Sequence, residues 1–304
     1  MIQERHLHIL RSALRVAEAV WFYARTIARR VIEHDVLFLA SGLAFNGVLT
    51  IIPLMLLLAS ALGIFLNSSA LGVQQLHDIL NTIFPPQPFA QQIRTSILGV
   101  VSGIVTYRTS LGLFGFTVLI WTATSLFDAI RSVLHRVYFL KRTKGLLISL
   151  LHDIGFILLS FVLFISANFA IWVSTLIERL VAEIPVLRPF HLIAANNFIP
   201  TTVVVLMTAV MFYILYRYMT DQKPPNTAAI VSTVTSTLLW IISARLFAVY
   251  LADVSAISTI YGPYAFLLVL LFWIYYSSLI FVFGAIVGQV HWERLRRLRE
   301  EAAV

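Results

Sequence analysis

The chain contains no cysteine, so disulfides, thiolate catalysis and cysteine-ligated metal are excluded. Charge is almost as scarce: Asp, Glu, Lys and Arg make up 12% of the 304 residues, against about 25% in soluble domains. No Walker loop, G-x-S-x-G elbow or H-E-x-x-H stretch is present, which leaves nucleotide hydrolysis and two large hydrolase chemistries without their usual residues. No cleavable leader pattern opens the sequence, because charge persists up to Asp35. The first apolar segment is therefore expected to act as an uncleaved anchor.

What fills the chain instead is apolar: 60% of its residues are hydrophobic. The runs are long rather than alternating, which suits membrane-crossing helices of about 20 residues better than the roughly ten-residue strands of a barrel. The reading is an all-α polytopic membrane protein with six transmembrane helices, at about 36–66, 106–127, 146–177, 199–219, 226–250 and 262–288. The fifth carries Ser232, Thr233, Thr235, Ser236 and Thr237, but such hydroxyls can bond back to their own helix without breaking it.

Lys and Arg are distributed unevenly over the connections. Residues up to 34, 128–145, the turn between spans four and five, and the segment after span six together hold 17, against three (Arg94, Arg179, Arg188) in the alternate connections. The positive-inside rule then places both termini in the cytoplasm. The net charge of +8 reads as a topology signal with attraction for anionic lipid headgroups, and gives no support for a nucleic-acid partner. Residues 1–34 read as an amphipathic basic helix, either lying in the inner interface or packed on the end of the bundle. The transmembrane domain is 35–290, with an external helical loop at 67–105 divided by Pro85, Pro86 and Pro88, and a basic cytoplasmic elbow at 128–145 that reads as an amphipathic helix at the inner interface. Residues 291–304 form a basic tail.

Polar residues inside spans are the functional candidates, since burying them in hydrocarbon is costly. Residues 154–173 suffice to cross about 30 Å at 1.5 Å each. His152 and Asp153 therefore sit at the inner interface, as a cap or an ion pair with the neighbouring basic segment, or else line a cytoplasm-facing cavity. Arg108 and Arg245 fall near the outer interface, where they snorkel or, with Asp253, share an anionic pocket. Asn46 and Asn168 lie deep; with Thr50, Ser166 and the span-five hydroxyls they either line a polar path or join helices. The three His-Asp dipeptides fall on both sides of the membrane and cannot build one metal site.

Three stretches carry a resemblance: "LAFNGVLTIIPLMLLLAS" (43–60), "WTATSLFDAIRSVLHRVYFLKRTKG" (121–145), and "LYRYMTDQKPPNTAAIVSTVTSTLLW" (215–240) with "YGPYAFLLVLLFWIYYSSLIFVFGAIVGQV" (261–290). Pro53, Ser125-x-x-Asp128, Tyr216-Arg217 and Tyr261-Gly262 are the distinctive points. In order and spacing these resemble the YihY/BrkB family of bacterial inner-membrane proteins, once labelled ribonuclease BN. The resemblance implies six helices in the cytoplasmic membrane and roles in the envelope, including, for a YhjD-like branch, movement of lipid A precursors or other lipids. One departure stands out: Ile286 follows Gly284-Ala285, where the family commonly places a glutamate.

The expectation is a non-enzymatic transporter or scramblase of a lipid, or of an amphipathic anionic solute, acting in envelope biogenesis. Asn46, Asp128, Arg131, Arg136, Asp153, Asn168, Ser236 and Arg245 are the candidate substrate-binding residues, with Asp128 pairing with Arg131 at i,i+3. No catalytic residue, metal or cofactor is expected. The rival readings are a membrane scaffold that recruits envelope partners or further copies of the chain, and an ion or small-solute channel.

Overall fold

The computed structural model describes residues 21–68, 88–140, 146–183, 198–252 and 264–302, and among these every regular element is α-helical. A helical segment at 21–33 precedes α1 (Val36–Ser68), α2 (Pro88–Tyr138), α3 (Leu146–Glu183), α4 (Phe198–Tyr218), α5 (Asn226–Ala252) and α6 (Tyr264–Ala302). Six helices are long and apolar enough to cross a membrane, over Val36–Phe65, Ser102–Tyr138, Leu151–Val173, Thr201–Tyr218, Asn226–Val249 and Leu267–Glu301. Each overlaps one of the expected spans. The fifth holds despite its hydroxyls, and Thr233 shows why: its Oγ1 donates to the Ala229 carbonyl one turn back, 2.8 Å away.

Three boundaries differ from expectation. α2 starts at Pro88, where the missing N–H costs no helical bond, and runs 51 residues without a break. Residues 88–105 and 128–138, read as part of a helical external loop and as an amphipathic elbow helix, are helical but continuous with the second span; 69–87 and 141–145, with Lys141, Arg142 and Lys144, lie outside the described residues. α2 stops at Phe139, which takes a left-handed φ of 54° while the Leu140 N–H reaches back to the His135 carbonyl at 3.0 Å. α6 likewise continues through the expected tail to Ala302.

The chain divides into two compact units, 45–126 and the remainder. In the first, α1 and α2 approach closely through small residues. A Cβ at Gly112 would lie 2.6 Å from Ser60 Oγ, and one at Gly115 would lie 3.3 Å from the Pro53 carbonyl. Ser60 Oγ donates to the Arg108 carbonyl at 2.7 Å.

In the second unit α3 packs on α4, α4 on α5 and α5 on α6. The α5–α6 contact is closest at Gly284 and Gly288, where an added Cβ would overlap Ser236 and Ser232. A small-x-x-x-small stripe thus faces a stripe of Ala228, Ser232 and Ser236, as close helix packing in lipid requires. The segment 21–33 lies on the end of α6: Tyr23 OH and His291 Nδ1 share a hydrogen bond of 2.7 Å, and the Arg294 guanidinium covers the Tyr23 ring. Outward faces carry Phe161, Phe164, Trp172 and Leu246, exposed as lipid-facing side chains must be.

Candidate functional site

Asp128, Arg131, His135 and Tyr138 recur at three- and four-residue steps and so share a face of the last turns of α2. Arg131 is 3% exposed. Its Nη2 bonds the Asp153 carboxylate on the second turn of α3, its Nη1 lies 3.5 Å from Asp128, and its Nε lies 3.9 Å from Asp221, in the α4–α5 connection. The same Nε donates to the Met219 carbonyl at 3.4 Å. The Asp221 N–H in turn donates to His135 Nε2 at 3.2 Å. One guanidinium thus ties together the end of α2, the start of α3 and the end of α4.

These three places meet for a topological reason. Consecutive spans cross in alternate directions, so the α2–α3 and α4–α5 connections emerge at the same membrane face. Desolvating a guanidinium there costs several kcal/mol, which carboxylates of good geometry offset. Asp153 is buried to 1% exposure and Asp128 is half exposed. His152 points elsewhere, its ring edge-on to Phe156.

Behind the charges lies a layer of hydroxyls. Tyr138 OH and Ser232 Oγ are 2.8 Å apart. Tyr216 OH and Ser236 Oγ are 2.6 Å apart, and each also faces a carbonyl of α6, Tyr216 OH that of Phe281 at 2.7 Å and Ser236 Oγ that of Ile280 at 3.3 Å. About 10 Å further along α3 opens a cleft of about 370 Å³ between α3 and α4, walled by Ser160, Phe164, Met207, Met211 and Trp240. A second recess of about 280 Å³, at the start of α5, is lined by Asn226, Thr227, Trp292, Arg296 and Arg299.

The candidates from sequence therefore separate. Asp128, Arg131 and Asp153 come together, the last as an ion pair with the basic segment that precedes it. Arg136 is exposed and lies 3.7 Å from Asp35. Ser236 joins α5 to α4 and α6. Asn168 is exposed and donates to its own helix at the Phe164 carbonyl, 2.8 Å away. Asn46 accepts from Ser125 Oγ at 2.7 Å, and Arg108 donates to the Val105 carbonyl at 2.6 Å, both within the 45–126 unit. Arg245 is exposed on α5; Asp253 lies outside the described residues. Asp221, Tyr138 and Met219 were not foreseen. Asp221 does stand within the distinctive 215–240 stretch, and a polar residue in a connection too short to leave the bundle end is the one signal that marks it. Among the described residues no three His, Asp or Glu side chains gather closely enough to ligate a metal.

The sequence family described as virulence factor BrkB matches residues 27–303. A UPF0761 membrane protein of Janthinobacterium sp. (strain Marseille) is 25% identical over 275 residues, covering 89% of this chain and 60% of the relative. One from Delftia acidovorans is 26% identical over 270 residues, covering 87% and 60%. The chain thus spans about 60% of the length of these curated relatives. No solved structure matches it.

Proposed function

The chain belongs to the virulence factor BrkB family, and from that premise we propose that it moves or scrambles an amphipathic, anionic lipid in the bacterial cytoplasmic membrane without covalent chemistry. The observation that carries this reading is Arg131, a desolvated guanidinium held by carboxylates from three elements. A lipid phosphate offers the same bidentate oxygens as a carboxylate, so it can replace Asp128 or Asp153 without leaving the guanidinium unpaired. The apolar α3–α4 cleft, with Met207 and Met211 as adaptable walls, takes the acyl chains. Ser232 and Ser236 are engaged between helices, so this route follows α3 and α4. The excess of 17 Lys and Arg over three supports an inner-leaflet position for Arg131.

Reconstitution into vesicles carrying fluorescent anionic or zwitterionic phospholipid tests it. Leaflet exchange should be faster than in empty vesicles and favour the anionic lipid, and Arg131→Gln should slow it by about tenfold or more, a loss of roughly 1.4 kcal/mol or greater. Equal exchange with and without folded protein would refute it.

A further inference from the structure

The junction between the 21–33 segment and α1 is built around His34. It is 5% exposed, its Nε2 is buried without a hydrogen-bond partner, and its ring lies 5.4 Å from that of Phe139. Two left-handed residues flank it: Asp35 with φ 51° at the turn into α1, and Phe139 with φ 54° at the end of α2. Aspartate adopts this conformation readily, whereas a bulky residue such as Phe139 holds it only where its surroundings impose it.

The charged groups around the ring are Arg30 and Glu33 of its own segment, Arg136 of α2 and Glu293 of α6. The carboxylates are engaged: Glu293 takes Arg30 at 2.8 Å and Gln289 at 2.5 Å, and Glu33 takes both Arg29 and Arg30. Arg30 also covers the Phe139 ring. A neutral imidazole fits this place. An imidazolium does not, because its Nε2–H would have no acceptor and its charge would join two guanidiniums, which are donors only.

We propose that this junction is a proton-operated latch, in which uptake of a proton on His34 releases the 21–33 segment from the end of α6. Asp35 is the hinge, and the contacts given up are Tyr23 with His291, Arg294 with Phe22 and Tyr23, and Arg30 with Glu293. Burial first, and then Arg30 and Arg136, hold the ring below its usual 6.5. Since the folded form binds the proton less readily than the released form, the latch is closed above about 6.5 and loses stability as pH falls below it. The inference stands apart from lipid movement and concerns a different face of α2.

The natural absence of cysteine makes Ala24→Cys with Leu298→Cys a clean spin-label pair for distance measurement on the full chain in nanodiscs. Going from about pH 8 to about pH 5, the long-distance population should rise, by up to about tenfold per pH unit, the slope of a single proton. The rise should be absent in His34→Gln and retained in His291→Asn, which removes the other histidine of the interface. Identical distances at both pH values, or opening that persists in His34→Gln, would overturn the latch. A His34→Gln variant already open at high pH would also overturn it, by showing the ring to be only a packing element.

Discussion

Arg131 is held by unequal partners: the carboxylates of Asp153 and Asp221 are buried, whereas that of Asp128 is half exposed. Removing one member of a buried pair strands the other, at a cost of about 3–5 kcal/mol, while replacing both by apolar residues of similar size is often neutral. Asp153→Leu and Arg131→Met should each lower stability in a denaturant titration of the detergent-solubilised protein by that amount, and the double variant by less than the sum, since the buried Asp221 carboxylate still loses its guanidinium. Asp128→Asn should cost under about 1 kcal/mol, as expected for a partner in contact with solvent. Costs that simply add in the double variant would show that the two residues act separately.

The helices owe their contacts to small residues. A methyl group at Gly284 would run into Ser236, and one at Gly288 into Ser232, whereas Gly42 has open space around it. Gly284→Ala and Gly288→Ala should each destabilise the protein by about 1–3 kcal/mol, and Gly42→Ala should leave the unfolding midpoint unchanged within error. The existence and order of the helices were legible because hydropathy over 20 residues reports the solvent of a segment. The end of α2 was not legible from that signal: at Asp128 the sequence stops being apolar, yet the backbone bonds of a helix need no hydrocarbon and continue to Tyr138. Asp153 and Arg131 could be paired from topology. Asp221 could not, because its contact is set by how a short connection folds back, which periodicity does not encode. The span-five hydroxyls looked alike in sequence, and only their neighbours on α4 and α6 show that Ser236 joins helices.

At the scale of the whole molecule, charge and function are linked through orientation. If the basic connections face the cytoplasm, an impermeant thiol reagent added to intact cells should label Asn67→Cys and spare Arg299→Cys until the cells are opened. The reverse pattern would put Arg131 in the outer leaflet and the α3–α4 cleft in contact with different lipids. The recess of Arg296 and Arg299 with Trp292 lies at the same end of the bundle as the Arg131 site, so both would meet the anionic inner leaflet.

The central claim is that Arg131 reads an anionic headgroup, and the most direct measurement is leaflet exchange by the charge-swapped variant Arg131→Asp with Asp153→Arg, in vesicles where its folding is verified. The swap restores the ion pair but moves the guanidinium from α2 to α3. Exchange that stays at the level of empty vesicles, with the fold intact, is the predicted result. Exchange at the wild-type rate would mean that the pair merely fastens the helices, and would contradict the account.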